Sequence, residues 1–317
     1  MENKHFVADF ANNLDEVDAV TIHSSAKSVS AFSKTIYSLV HNPLFIVSSL
    51  ILFLLLIIAV FPGLFTQIDP TRCVIREASL PIGTNGEYTK SFHLLGTTGL
   101  GCDEFARIIY GARTSLLVGF FVMVISTSIG CVLGAIAGYF GGILDSIISR
   151  ITDVFFAIPL ILGAVALLQL LKDADPFWKV VLTLSIFGWT SSARLMRSSV
   201  METKTQEYVT SVRALGMEKL TILFKHVIPN AISPIIAIAM ISMSVYIVAD
   251  SALSFLGVGM NSSVVSWGVD IANAQTTLQS NPGLLLYPSI ALAITALSFM
   301  FLGDSINDAI DPKKRRR

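Results

Sequence analysis

The chain has 317 residues, 53% of them hydrophobic and only 14% charged, with a mean hydropathy of +0.70. Soluble domains carry about 25% charged residues, so too few charges are present to cover a water-facing surface. That excludes an ordinary soluble enzyme and indicates a multi-span, all-α membrane protein. Lys plus Arg and Asp plus Glu both total 22, a balance without the basic excess of a nucleic-acid binder.

Charge-free runs, set against the roughly 20 apolar residues that cross a bilayer as a helix, give the elements in chain order. Residues 1–43 form a polar, mixed-charge tail, expected to be a partly disordered cytoplasmic extension. Leu44 to Phe65 is free of charge for 22 residues and is the first span. No A-x-A-type site follows it, so it reads as an anchor rather than a cleaved signal peptide. The loop 66–112 is long enough to hold structure outside the membrane. Between Arg113 and Asp145 lie 31 uncharged residues, which hold span two at roughly 115–140. Between Asp153 and Lys172 lie 18, which make span three, with Pro159 as a kink. Span four is the weakest: only 14 residues separate Lys179 from Arg194, and both flanking side chains must snorkel to the headgroups. Span five starts near Pro229 and runs past Asp250. Residues 251–268 either extend that span, re-enter the membrane or lie outside it. Span six covers about Leu284 to Gly303, after the break Asn281-Pro282-Gly283.

Six spans put both termini on one side. The basic tail 309–317, ending Lys313-Lys314-Arg315-Arg316-Arg317, marks that side as cytoplasmic, and Lys and Arg then divide 15 inside against 7 outside.

No catalytic machinery is visible. Gly96-Thr97-Thr98-Gly99-Leu100-Gly101 has P-loop glycine spacing, but Cys102-Asp103 follows where Lys and Ser/Thr are needed to reach phosphate and Mg2+. The five His are dispersed, and neither H-E-x-x-H nor C-x-x-C occurs. No cofactor is expected in this chain, so its energy source is another protein or an ion gradient. Cys131 falls in span two as a small apolar residue. Cys73 and Cys102 share the outer loop, where two thiols in an oxidising compartment can pair.

The stretch 195–230 carries most of the functional information. Val209, Val212 and Leu215 recur at helical spacing up to Gly216, which suits a left-handed cap. Met217 and Glu218 open a second short helix with Leu220, Leu223, Phe224 and Val227 as its apolar positions. Such a helix–Gly turn–helix is either a docking surface for another protein or a loop packed on its own spans. Gly130, Gly134, Gly138 and Gly142 recur every fourth residue, a face for close helix packing within the chain or against a partner. Arg194 and Arg197 are expected to anchor at headgroups or to meet acidic groups on a partner. Asp250 is ionisable in an apolar setting near the outer end of span five. It is a candidate for the translocation pathway, or for a proton relay in a secondary carrier that needs no ATPase, or it simply reaches the interface. A membrane scaffold without transport is a third reading. Pro159, Pro229, Pro234 and Pro288 suggest moving helices or a lined cavity.

Thr210-Ser211-Val212, then Gly216, nine residues and His226-Val227-Ile228-Pro229 resemble the EAA loop of ABC importer permeases. Glu207-Tyr208-Val209, Arg213-Ala214-Leu215-Gly216 and Ile228-Pro229-Asn230 are similar to its dipeptide/oligopeptide branch. His93-Leu94-Leu95-Gly96-Thr97, Tyr110-Gly111-Ala112-Arg113, Ala137-Gly138-Tyr139-Phe140-Gly141-Gly142, Leu253-Ser254-Phe255-Leu256-Gly257, Trp267-Gly268 and Asp308-Ala309-Ile310-Asp311-Pro312 resemble the C-type subunit of that branch. Thr98 and Cys102 stand where the family has Asp and Arg, so roles of those charges do not carry over. The resemblance implies a type I ABC importer transmembrane domain, with its permease core at 113–308 and its coupling loop near 200–230. It implies a second related permease, two cytoplasmic ATPase subunits that bind ATP and Mg, an external peptide-binding protein, and a bacterial cytoplasmic membrane. Glu207, Arg213, Ala214, Leu215, Gly216, Met217 and Glu218 would form the ATPase-coupling segment. Related permeases also serve nickel, haem or glutathione, so the substrate stays open within that group.

Overall fold

A computed structural model describes residues 31–171 and 174–310. Residues 1–30, 172–173 and 311–317 lie outside the described part, so of the expected basic tail 309–317 only Ala309 and Ile310 are described. Within the 1–43 tail, the described residues Ala31–Val40 form a helix, α1. Phe32, Ile36, Leu39 and Val40 recur at helical spacing there.

Helix α2, Pro43–Val60, is opened by Asn42, whose side chain accepts from the Leu44 amide, with Pro43 at the first helical position. It is apolar all round and buries only Ser48 and Ala59, as suits a helix facing lipid. After the long connection 61–103 comes α3, Glu104–Phe140, capped by Asp103 accepting from Ala106 at 2.6 Å and ended by Gly141 at φ +69°. Helices α4, Gly142–Ala157, and α5, Leu160–Leu170, are bent by 87° at Ile158–Pro159. Pro159 lacks the amide needed to continue the helix, so the expected kink is a complete break. Helix α6 spans Pro176–Thr203. The short helices α7 (Glu207–Ala214), α8 (Lys219–Ile222) and α9 (Ile228–Ala231) lead into α10, Ser233–Phe255. Helix α11 is Trp267–Ala274, and α12, Gly283–Ile310, closes the described chain. The ambiguous stretch after span five thus leaves the helix at Leu256 and forms a separate short helix. In α11, Trp267 donates to Ile108 O at 3.0 Å and accounts for the close approach of Gly111.

Four helices (α2, α3, α10 and α12) are long and apolar enough to cross a membrane, and the α4–α5 pair passes as a fifth, broken span. Helix α6 has the length but not the composition. Its polar side chains Thr183, Ser185, Thr190 and Ser192 are buried against neighbouring helices rather than exposed to lipid, which explains the weak sequence signal for span four. The six-span expectation therefore rests on packing for this helix. The α4–α5 pair follows α6 in the opposite direction over its length. Asp145 meets Arg197, Phe155 meets Phe187, and Gly163 approaches Phe187. Helices α3 and α6 run parallel, because Gly130, Gly134 and Gly138 lie against successive turns at the Trp189, Ala193 and Arg197 carbonyls. Asn42 at the start of the first span reaches Ser305 near the end of the last at 3.4 Å. The entry and exit of the bundle therefore lie at the same end.

Two apolar clusters result. One, around Val118, Leu184, Ile247 and Leu253, fills the centre and the end near α11. The other, around Met196, Val200, Val209, Ile222, Val227 and Ile235, seats the short helices against the opposite end of the bundle.

Candidate functional site

The sequence predicts a helix–Gly turn–helix, and α7 and α8 flank such a turn. Glu207 in the first turn of α7 and Arg213 in its last are placed favourably for the helix dipole. Leu215 caps α7, and Gly216 follows at φ +82°, a backbone region that costs residues with a Cβ. The Gly216 amide donates to Arg213 O at 3.1 Å, which closes the turn. Glu218 is the N-cap of α8, and the chain then runs through one π turn, Leu223–Val227.

The two faces of this segment differ sharply. Val209, Ile222, Leu223 and Val227 are buried on Met196 and Val200 of α6 and Ile235 of α10. The outer face carries Leu215 at 86% exposure, Phe224 at 66% and Leu220 at 57%, with Met217 also exposed. Arg213, Ala214, Gly216 and Glu218 are exposed beside them. The turn is therefore held rigidly by one side while its other side presents an apolar crest about a flexible-backbone glycine. The inner face packs on the chain's own spans, and the outer face is exposed.

Asp250 lies far from this turn. It is completely buried in α10, and neither carboxylate oxygen has a hydrogen-bond partner among the described residues. Ser254, one turn further on, also has a buried, unpartnered hydroxyl. The structure does not bring Asp250 together with the 207–218 segment.

Three expectations are refined by side-chain geometry. Cys73 and Cys102 are disulfide-bonded across 29 residues. Arg194 and Arg197 find acids on the chain's own α4: Arg194 meets Asp153 at 2.9 Å, and Arg197 grips Asp145 with two bonds, one of 2.7 Å to Oδ2. Of the four recurring glycines, three pack against α6, where a Cβ at Gly130 or Gly138 would sit 2.6–2.7 Å from α6 atoms. Gly142 touches nothing and instead starts α4 at φ +59°.

The 61–103 loop has a buried organising centre. His93 Nδ1 meets Asp103 Oδ2 at 2.8 Å, and Glu77 accepts the Thr89 amide at 2.9 Å. A two-residue antiparallel hairpin, β1 (Thr84–Asn85) and β2 (Phe92–His93), positions these groups. Burial would push the Glu77 carboxyl up, but hydrogen bonds from Thr89 and Tyr88, with the nearby His93, outweigh it and hold it below the usual range. The P-loop-like glycines serve this loop: the Thr97 hydroxyl donates to Glu77 O, and the Gly101 carbonyl accepts from Val74 at 3.0 Å.

Sequence reasoning missed one cluster beside this loop. Arg107 Nε donates to Asp270 Oδ1 at 2.6 Å, and the neighbouring Glu104 is buried. The partners are 163 residues apart, so no local spacing could pair them. Burial drives the Asp270 carboxyl up to about 6, against the opposing pull of Arg107.

These features define the class: a polytopic helical membrane component that exposes an anchored apolar turn at one end of its bundle. Residues 130–316 match the family model for the binding-protein-dependent transport system inner membrane component. The chain is 32% identical to the oligopeptide transport system permease protein of Bacillus subtilis (strain 168), over 92% of this chain and 93% of the relative. It is 33% identical to the dipeptide transport system permease protein of Alkalihalophilus pseudofirmus, over 91% and 92%, and 37% identical to a glutathione transport system permease protein of Pectobacterium atrosepticum, over 72% and 75%. A methionine ABC transporter solved in inward-facing conformations shares the fold, with a TM-score of 0.54 at 19% identity over 65% of this chain and 96% of that one. The chain belongs to the binding-protein-dependent transport system inner membrane component family, a family of ABC permease subunits.

Proposed function

We propose that this chain is one of two permease subunits of an ABC importer that carries dipeptides or oligopeptides into a bacterial cell. The observation that carries this reading is the 207–227 segment, with its buried inner face and its exposed crest at Leu215, Leu220 and Phe224. The permease relatives named for dipeptide and oligopeptide transport support the substrate class. On this reading the crest seats in a cytoplasmic ATPase subunit, two of which hold ATP and Mg and do the hydrolysis. Their closure is transmitted through α7 and α8 to α6 and α10, and the two permeases rock between inward-open and outward-open states. Both termini and the crest then face the cytoplasm, and the 66–112 loop faces an external peptide-binding protein. Asp250 is assigned to the translocation pathway on its burial without a hydrogen-bond partner at the outer part of α10. A proton-coupled carrier relaying through Asp250 has no support from the family and leaves the crest unexplained.

The test is a mild-detergent pull-down of the tagged chain from its own membranes. Co-purification of an ATPase pair and a second permease, with ATP hydrolysis in the eluate, is the expected result. A chain that emerges alone or as a homo-oligomer, without hydrolysis, contradicts the proposal.

A further inference from the structure

A cavity of about 440 Å³ lies beside the 61–103 loop; neither the residues of the crest nor Asp250 line it. Its walls include the Cys73–Cys102 bridge, Glu104 and Arg107 of α3, and Asp270 of α11. Glu104 is 1% exposed and Asp270 4% exposed, yet Glu104 Oε1 and Asp270 Oδ2 have no hydrogen-bond partner among the described residues. Arg107 is committed to Asp270 Oδ1 and, at 3.3 Å, to Pro70 O. Two carboxyl groups thus face one guanidinium, so a negative surplus in a low-dielectric setting arises whenever both are ionised. Such a surplus is costly unless a cation or a proton joins it.

The shape of the space selects among cations. No group of three or more His, Cys, Asp or Glu side chains that could hold a metal ion exists among the described residues. The volume suits a small organic molecule rather than a bare ion. Thr277 lines the same space, and its hydroxyl adds one oxygen to the carboxylate acceptors. An alkylammonium has three N–H donors and needs such a set of oxygens.

We propose that this cavity binds the primary ammonium group of a small molecule, with Glu104 and Asp270 as its acceptors. On the peptide-permease reading above, the amino terminus of a peptide is one source of that group, and a free amine is the other. The bridge between Cys73 and Cys102 holds the loop wall of the site in place.

The test uses the full chain in lipid nanodiscs and isothermal titration with three probes: dialanine, N-acetyl-dialanine and ethylammonium chloride. Binding of dialanine and ethylammonium, with at least about tenfold weaker binding of the acetylated peptide, is expected from the loss of a charged hydrogen-bond donor. Glu104→Gln, which leaves the Arg107–Asp270 pair intact, should weaken ammonium binding by about tenfold or more. Binding of ethylammonium alone supports the site and assigns it to a free amine. If neither amine binds, if acetylation makes no difference to a peptide that binds, or if Glu104→Gln binds like the unaltered chain, the proposal is overturned. The acetylation comparison needs no variant, so it stands even if Glu104→Gln fails to fold. Failure here leaves the importer reading untouched, because that reading is decided by co-purification with an ATPase.

Discussion

Gly216 shows how much a single residue can set. Its φ of +82° closes the turn between α7 and α8, and a Cβ built there meets nothing within 4 Å. Gly216→Ala should therefore cost only the backbone penalty of about 1 kcal/mol. Gly216→Pro cannot adopt the angle and loses the amide bond to Arg213 O. The expected outcome is near-normal uptake for the alanine variant, and hydrolysis uncoupled from uptake for the proline variant while the chain still inserts. Parallel transport and hydrolysis assays check both. Glu77 makes a pH prediction at the same scale. Its folded carboxyl is held below the ordinary range, so its contribution is present above that range and is lost as pH falls through the lowered value. Amide exchange at Tyr88 and Thr89, whose N–H groups bond to Glu77, should stay slow at neutral pH. It should accelerate, relative to the intrinsic rate, once pH falls below the ordinary glutamate range far enough to protonate Glu77. Protection unchanged down to pH 2 would contradict this account.

At the scale of elements, close contact between α3 and α6 depends on the absence of side chains. A Cβ at Gly134 would collide with the Ala193 carbonyl of α6, a backbone atom that cannot turn aside. Gly134→Leu should force the helices apart at a cost of at least about 1–3 kcal/mol, read as a lower thermal midpoint in detergent. A midpoint equal to that of the unaltered chain would mean that the parallel pairing is wrong. The outer loop is restrained differently, by a disulfide that closes 29 residues. Reduction should destabilise it by about 3 kcal/mol and expose the loop to protease, and Cys73→Ser should show the same sensitivity without reductant. This level was partly legible in sequence. The 31-residue uncharged run and the four-residue glycine spacing announced α3 and its packing face, and Pro159 announced the break. The partner of that face could not be read, because Ser192, Ala193 and Arg197 lie about 60 residues away in a helix whose polar side chains hide its span. The pairing of Arg194 and Arg197 with acids of the same chain, rather than with headgroups or a partner's acids, could not be read for a similar reason: Asp153 and Asp145 come alongside only after the chain reverses at the α5–α6 connection.

For the whole molecule, two ends of one helical bundle do different work. At one end the buried faces of α7 and α8 lock a turn onto α6 and α10, and Leu215 stands out from it. At the other end, α11 and the bridged loop cover the outer part of α3 and enclose a polar cavity. The first end was readable, because a local pattern of apolar residues and one glycine specifies it. The second was not, because Arg107 and Asp270 meet only through the tertiary fold. The central claim is that the crest transmits ATP-driven motion into the spans, and Leu215→Asp tests it most directly. This side chain is 86% exposed, so the substitution leaves both cores intact. The measurement is peptide imported per ATP hydrolysed, in vesicles holding the complete complex. A fall of about tenfold or more, equivalent to ~1.4 kcal/mol of lost coupling, is the predicted result. An unchanged ratio at full uptake would contradict the account.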